Sequence, residues 1–243
     1  MSAHNYNDPI KVQESFYSLP YHWFPEYRLK KVEREIKKEI ILNLLGRFSA
    51  IPIHEYLDVG CGDGKWTVDI YNHFKNIHLK ATGIDISERA IGFAKIISPF
   101  IDFKSYSGEE FPVPSNTYDV VTCIEVIEHV PDEREKKFVE ELYRVTKPGG
   151  GILLTTPSTH EDVSPHHFRH YSVKQLKHLF ADVGFTKIVF SGQSMRLHPR
   201  LKWIRNWSNH LPFVWMMWRF SYRERAPQDA SNLFLIAEKD FSH

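Results

Sequence analysis

Two short stretches of this chain combine glycines, carboxylates and an imidazole at spacings that could support chemistry. Residues 58–64 read DVGCGDG, and closely spaced glycines let a backbone turn tightly and approach a ligand. Residues 125–129 read EVIEH and carry two carboxylates beside one imidazole. Such groups occur together in general acid–base sites and in divalent metal sites. Both stretches are candidate site residues if the fold brings them to one place.

The surrounding sequence alternates between strand and helix patterns. Seven short apolar runs predict strands: 56–59, 81–86, 101–104, 119–124, 151–156, 186–191 and 232–238. Four helical patterns separate or follow them: 65–74, 88–97, 133–145 and 172–182. Residues 147–150, KPGG, predict a turn before the fifth strand. Such strands form a parallel sheet that binds ligands at their carboxyl ends, and both candidate stretches follow a strand end.

An acidic residue supports the glycine loop as a nucleotide-type site. Asp85 ends the second predicted strand about 21 residues beyond Gly64, where an acid can accept hydrogen bonds from ribose hydroxyls. The glycines follow a G-x-G-x-G spacing, which differs from the G-x-G-x-x-G spacing of dinucleotide-binding folds. The loop therefore predicts a ligand that contains a ribose.

Four motifs in this order resemble those of the class I S-adenosylmethionine-dependent methyltransferases. They are LDVGCGDG at 57–64, GIDIS at 83–87, YDVV at 118–121, and KPGG with LLTTP between 147 and 157. The resemblance covers roughly residues 55–194 and the last strand. It implies an α/β fold with a Rossmann-like seven-stranded sheet, mostly parallel with an antiparallel last strand, and helices on both faces. It also implies an enzyme that takes its methyl group from S-adenosylmethionine.

The resemblance implies roles for residues of the glycine loop. Gly60 and Gly62 would hold the methionine end of the cofactor through backbone contacts. Asp58 would either orient the loop or receive the cofactor's ammonium group.

The resemblance also implies contacts for the other half of the cofactor. Asp85 would bind the ribose diol, and Ile86 would lie against the adenine. Many relatives carry an acid that receives the adenine amino group, but the aligned position here is Ser107. A hydroxyl or a backbone carbonyl could take over that contact.

Residues 125–129 lie where the methyl acceptor should sit, and three interpretations remain open. In the first, Glu125, Glu128 and His129 hold Mg²⁺ or Mn²⁺, with a histidine of a later loop completing the site. This E-x-x-E-H stretch is similar to those of ubiquinone-biosynthesis O-methyltransferases and small-RNA 2′-O-methyltransferases, which use metals. In the second, His129 acts alone as a general base. In the third, Glu125 contacts the cofactor and His129 only holds the loop.

A histidine-rich loop follows the fifth predicted strand and should border the acceptor pocket. Residues 158–171 contain four imidazoles: His160, His166, His167 and His170. Most of them could be solvated or packed, but His166 or His167 is the candidate to reach the acceptor. We predict that His166 acts as a catalytic residue with Glu128 and His129.

Two segments lie outside the alternating pattern. Residues 1–50 predict an N-terminal helical cap, and residues 51–243 predict the cofactor-binding domain. The domain is interrupted at about 195–230 by an insertion rich in tryptophan and arginine. This insertion predicts a membrane-surface anchor or a lid over a lipid-like acceptor, a packed subdomain or dimer contact, or a surface that stacks nucleic-acid bases.

Charge balance and cysteine content limit the kinds of protein that this chain can be. The 31 Lys and Arg residues nearly balance 30 Asp and Glu residues, which argues against a dedicated nucleic-acid binder. Two cysteines, Cys61 and Cys123, fit a reducing compartment, and no signal-like start or spanning apolar run is visible. We therefore expect a cytoplasmic enzyme, with contact at a membrane surface through the insertion as an option.

These observations together predict a methyltransferase that acts on an oxygen of a small hydrophobic or lipid-linked acceptor. Two alternatives stay open: a metal-dependent RNA 2′-O-methyltransferase and a cofactor-binding scaffold without turnover.

Overall fold

A computed structural model describes residues 9–24, 28–50, 53–74, 79–195 and 222–241. Within these ranges lie eight strands: β1 Glu55–Val59, β2 Lys80–Asp85, β3 Asp102–Ser105, β4 Tyr118–Ile124, β5 Thr146–Pro157, β6 Thr186–Met195, β7 Tyr222–Arg225 and β8 Asn232–Glu238. The same ranges contain six α-helices: α1 Pro9–Phe16, α2 Arg28–Leu45, α3 Lys65–Phe74, α4 Glu88–Ile97, α5 Glu135–Val145 and α6 Val173–Val183.

The strands form one sheet in the order β3-β2-β1-β4-β5-β8-β6-β7. The pairs from β3 across to β5 are parallel, whereas β8 runs antiparallel to both β5 and β6. The predicted seven-stranded sheet with an antiparallel last strand is therefore confirmed. An eighth strand, β7, pairs with β6 and extends the edge of the sheet. It was not predicted, because the aromatic and basic insertion in which it lies shows no strand pattern.

The predicted turn at 147–150 is wrong. These residues belong to β5, which begins at Thr146, and the pairing of β4 with β5 shifts register there. Gly149 has φ +81°, and its N–H donates to the carbonyl of Lys239. The KPGG run is therefore an irregularity within β5 rather than a separate turn, and it forms hydrogen bonds with Lys239, beyond β8, where the register with β4 is broken.

The buried apolar side chains form two clusters, one on each face of the sheet. Successive residues of β4 divide between them, with Val121 and Cys123 in one cluster and Val120 and Ile124 in the other. This division follows from the alternation of side chains along a strand. Helices α5 and α6 cover the first face, whereas α2, α3 and α4 contribute to the second. Helices thus cover both faces of the sheet, as predicted.

Helix boundaries next to the sheet position the site. Helix α4 begins directly after β2, and the Ser87 hydroxyl accepts a hydrogen bond from the Ala90 N–H at its start. Helix α6 begins with a reciprocal cap between Ser172 and Gln175 and ends at Gly184, whose φ is +117°. Because α4 starts at the end of β2, the backbone around Asp85 is held at the carboxyl edge of the sheet.

The predicted insertion at about 195–230 lies largely outside the described residues, since positions 196–221 fall beyond them. Among the residues that are described, no helix combines the length and the apolar character needed to cross a membrane.

Candidate functional site

A cavity of about 550 Å³ lies at the carboxyl ends of β1, β2 and β4. Five of the residues predicted to bind the cofactor line it: Gly60, Asp85, Ile86, Ser107 and Glu125. His129, predicted to act on the acceptor, lines the same cavity. Three strand ends and the helical segment after β4 thus bring the two candidate stretches of the sequence together.

Asp85 joins the glycine loop to the start of α4. Its Oδ2 accepts a hydrogen bond from the Gly62 N–H at 2.8 Å, and its Oδ1 accepts one from the Ser87 N–H at 2.8 Å. Burial raises the pKa of Asp85, although both N–H donors favour the charged form. A carboxylate has about four acceptor positions, so two remain for hydroxyl groups in the cavity.

Asp58 lies behind the glycine loop and is 1% exposed. Its two oxygens accept hydrogen bonds from the hydroxyls of Thr67 at 2.6 Å and Thr122 at 2.8 Å. Burial raises the pKa of Asp58 to about 6. Since Asp58 is not among the residues that line the cavity, this arrangement supports the loop-orienting alternative over contact with an ammonium group.

Two glycines of the loop have positive φ and closely packed neighbours. Gly60 has φ +73°, and a Cβ atom there would overlap the side chain of Val126. Gly62 has φ +54°, and a Cβ atom there would overlap the hydroxyl of Tyr17. Gly62, predicted to hold the methionine end of the cofactor, is not among the residues that line the cavity, and its N–H donates to Asp85. The loop therefore requires glycine at both positions, for backbone conformation and for space.

The segment that follows α1 packs over the glycine loop. Asp63 is fully buried and accepts hydrogen bonds from the backbone N–H and the Nδ1 of His22, both at 3.0 Å. The Asp63 carbonyl accepts another from Trp23 Nε1 at 3.0 Å. Tyr17 and Tyr21 line the cavity, and burial raises the pKa of Tyr21 to about 12. The sequence analysis did not assign Asp63 or Tyr17 to the site, although the aromatic run at 21–24 permits a segment that folds over this pocket.

Replacement of Gly62 by alanine is expected to lower the free energy of unfolding by about 1–3 kcal/mol, because of the strained φ and the overlap with Tyr17. The measurement is urea unfolding. The double variant Gly62→Ala/Tyr17→Phe should recover part of the loss, since it removes the overlapping oxygen.

The matched control is Gly92→Ala within α4, where a Cβ atom meets nothing within 4 Å. This change should raise the free energy of unfolding by about 0.5–1 kcal/mol, since alanine favours a helix interior. Equal stability of the Gly62 and Gly92 variants would contradict the packing described for the loop.

Glu125 is the first residue after β4 and has a left-handed φ of 55°. Its Oε1 accepts a hydrogen bond from the Thr155 hydroxyl at 2.8 Å and pairs with the Lys37 ammonium at 2.8 Å. Although burial opposes ionisation, Lys37 and Thr155 hold the pKa of Glu125 below its usual range. Glu125 is thus an ionised group that is already paired at the edge of the cavity.

Glu128 and His129 lie in the short helical turn Ile127–His129. Glu128 is 1% exposed, and its Oε2 accepts a hydrogen bond from the Thr156 hydroxyl at 3.0 Å. Burial, and then the nearby charge of Glu125, raise the pKa of Glu128 well above its usual range. The Nδ1 of His129 donates to the carbonyl of His166 at 2.9 Å, and burial lowers the pKa of His129.

Glu128, His129 and His167 form a group that could hold a metal ion. Each offers one ligand atom, and the three atoms lie within 4.8 Å of one another. Burial, with His129 and His170 nearby, lowers the pKa of His167 to about 4, so its imidazole is neutral. Two imidazole nitrogens and one carboxylate oxygen suit a transition metal better than Mg²⁺, which prefers oxygen ligands.

Glu125, predicted as a metal ligand, lies outside this group, whereas His166, predicted as a catalytic residue, lines an adjoining cavity together with His129 and His167. The His166 ring packs edge-on against Phe16 at 5.0 Å, and it is the His166 carbonyl that reaches His129. Glu125 is not part of the three-residue group, and its Oε1 faces Lys37. The adjacent histidine, His167, occupies the place expected for a histidine of the later loop.

A family model described as a methyltransferase domain matches residues 28–189. A ubiquinone biosynthesis O-methyltransferase of Aromatoleum aromaticum is 30% identical over 154 residues, which cover 61% of this chain and 62% of the relative. A probable S-adenosylmethionine-dependent methyltransferase of Mycolicibacterium smegmatis is 29% identical over 138 residues, which cover 54% and 51%. The chain therefore spans between about half and three fifths of the length of these relatives.

Solved structures show the same fold. A possible histamine N-methyltransferase of Thermotoga maritima aligns with a TM-score of 0.64 at 16% identity, over 96% of this chain and all of that one. A SAM-dependent methyltransferase of Archaeoglobus fulgidus aligns with a TM-score of 0.58 at 17% identity, over 83% of this chain and 94% of that one.

Proposed function

We propose that this chain, which belongs to the methyltransferase-domain family and is an S-adenosylmethionine-dependent methyltransferase, methylates an oxygen of a small hydrophobic or lipid-linked acceptor. One observation carries the proposal. His129 lines both the cavity that contains Asp85 and a second cavity of about 260 Å³. A methyl donor and an acceptor could therefore meet beside this imidazole. Oxygen is supported as the acceptor atom by the names of the ubiquinone-biosynthesis relatives.

The larger cavity would hold the methyl donor. When bound, S-adenosylmethionine supplies a methyl group that is already activated for transfer. Asp85 would accept hydrogen bonds from the ribose hydroxyls, while Ile86 and Ser107 would border the adenine. The backbone at Gly60 would face the methionine end. These residues would orient the donor, and orientation is the main contribution that a protein makes to such a transfer.

The smaller cavity would hold the acceptor. It lies between α1 and the histidine-rich loop, and its apolar walls include Val12, Pro165 and Phe168. Gln13 and His129 line both cavities, so they mark where the two meet. A hydrophobic acceptor fits these walls, and its hydroxyl would lie next to His129.

Glu128, His129 and His167 would hold a divalent cation, and the chemistry supplied there would be activation of that hydroxyl. The support for this centre is the convergence of three ligand atoms within 4.8 Å on buried or half-buried residues. A bound cation lowers the pKa of a coordinated hydroxyl, which makes it a better nucleophile. The Nδ1 of His129 is already occupied by the His166 carbonyl, so its Nε2 would be the ligand atom.

The acceptor class is tested by a labelled-methyl screen of lipid, phenol, sugar and RNA acceptors with the purified protein. We expect transfer to the hydroxyl of an apolar compound. Transfer to RNA alone would contradict the proposal and favour the RNA-directed alternative. Binding of S-adenosylmethionine without turnover of any acceptor in the screen would count against the oxygen-acceptor proposal.

Removal of divalent cations with a chelator is expected to abolish methyl transfer. Mn²⁺ should restore the activity more fully than Mg²⁺, because the donor set includes two imidazoles. His167→Ala should mimic chelation, whereas His178→Ala, on the exposed side of α6, should not. Full activity in the presence of chelator would remove the metal and leave His129 as a general base alone.

A further inference from the structure

His170 is a buried imidazole whose two nitrogens are both engaged within the histidine-rich loop. It is 7% exposed, and its Nδ1 lies 3.0 Å from the carbonyl oxygen of Glu161. A carbonyl oxygen can only accept a hydrogen bond, so the Nδ1 of His170 must carry a proton. In the neutral ring the Nε2 of His170 is therefore an acceptor.

A second hydrogen bond makes the tautomer of His167 depend on that of His170. The Nδ1 of His167 lies 2.8 Å from the Nε2 of His170. With the His170 ring neutral, that Nε2 accepts and the Nδ1 of His167 donates, so the proton of His167 resides on its Nδ1. The lone pair of His167 is then on Nε2, where it is available as a ligand in the group with Glu128 and His129.

The same loop fixes the tautomer of His129 in the same way. Its Nδ1 donates to the carbonyl of His166, which likewise leaves a lone pair on Nε2. The loop is tied to this place, because the Phe168 N–H donates to the Glu128 carbonyl at 2.8 Å. Arg169 anchors the loop further, by donating to the Glu135 carboxylate at 3.1 Å. One loop thus orients both imidazoles of the group.

We propose that His170 is a positioning residue, which holds His167 as the Nδ1–H tautomer so that both imidazoles present Nε2 to one divalent cation. The inference rests on the proposed function for the identity of that ligand, but its statement about the His167 tautomer is independent of activity. Partners in this position typically change metal affinity about 10–100-fold when they are removed.

Two variants of similar size separate positioning from packing. His170→Gln places an amide oxygen near the site of Nε2, where it can accept from His167. His170→Asn keeps a donor near the site of Nδ1 but offers no acceptor to His167. The tautomer is read from long-range ¹⁵N–¹H correlation spectra of histidine-labelled protein, with the His167 signals identified by their loss in His167→Ala. Mn²⁺ binding is read from the electron paramagnetic resonance signal of the free ion.

The wild type and His170→Gln are expected to show His167 protonated at Nδ1 and to bind Mn²⁺ equally. His170→Asn should show a mixed tautomer and bind Mn²⁺ about 10–100-fold more weakly. Thermal unfolding and the affinity for S-adenosylhomocysteine should be the same in both variants.

Three results would overturn parts of this scheme in distinguishable ways. A wild-type His167 protonated at Nε2 would refute the inference directly. Equal Mn²⁺ affinity of His170→Gln and His170→Asn, despite different tautomers, would refute the positioning role. If the wild type binds no Mn²⁺, the metal centre under the proposed function fails and the positioning role fails with it, whereas the tautomer assignment is still decided by the spectra.

Discussion

His129→Ala is expected to lower kcat by about 10²–10⁴-fold, the range for removal of a group that activates a reacting hydroxyl. The reason is the position of His129, which borders both cavities. Its Nδ1 is hydrogen-bonded to the His166 carbonyl, so its Nε2 is the nitrogen left for the acceptor. The affinity for S-adenosylhomocysteine should stay unchanged, because the groups around Asp85 and Ile86 are not altered. Labelled-methyl transfer measures the rate, and calorimetry measures the affinity.

The control for this prediction is His178→Ala. His178 lies on α6, pairs with Asp182 and has a side chain that is 75% exposed, so its loss should leave kcat at the wild-type value. A His129→Ala variant with full turnover would show that the acceptor is activated elsewhere. A variant that lost affinity for S-adenosylhomocysteine as strongly as turnover would place His129 in donor binding instead.

Asp85→Ala is expected to weaken binding of S-adenosylhomocysteine by about 10²-fold or more, since hydrogen bonds to a charged group contribute about 1.5–3 kcal/mol each. The change removes the acceptors for the ribose hydroxyls. It also leaves the Gly62 and Ser87 N–H groups without their carboxylate partner, so the glycine loop loses its support. Calorimetric titration with S-adenosylhomocysteine is the measurement.

Two further variants make the Asp85 result interpretable. Asp85→Asn keeps one acceptor oxygen, that of the side-chain amide, and most of the packing. It should therefore bind S-adenosylhomocysteine with intermediate affinity. Asp102→Ala removes an exposed carboxylate of β3, which pairs with Lys104, and should bind as the wild type does. Unchanged affinity in a folded Asp85→Ala protein would mean that the donor binds elsewhere.

The sheet and the glycine loop could be predicted because both depend on local patterns. Apolar runs bounded by turns indicate strands, and the order of strands and helices limits the topology to a few choices. The run from Asp58 to Gly64 needs positive φ values that glycine adopts without strain, and Gly60, Gly62 and Gly64 have them. The KPGG irregularity within β5 and the eighth strand were missed, since their conformation depends on pairing with distant strands.

The roles within the site depended on residues far apart in the chain. Asp58 accepts from Thr122, which is 64 positions away, and that contact favours one of the two roles left open for it. Asp63 is bound by His22 across 41 positions. No local pattern carries such pairings, because they form only when the sheet brings its strand ends together and the segment after α1 packs over the glycine loop.

The amino-acid sequence by itself determined the sheet, the glycine loop and the two stretches that meet at its carboxyl edge. The tertiary structure decided which of two adjacent histidines, His166 or His167, places a ring nitrogen within 4.8 Å of the ligand atoms of Glu128 and His129, and it is His167. Neighbouring residues of an irregular loop have no periodicity to assign their directions, and here Phe16 and His170 set them through ring packing and hydrogen bonding. The direction of a side chain in such a loop depends on its three-dimensional contacts, whereas the backbone conformation of strands and glycine turns depends mainly on local residue types.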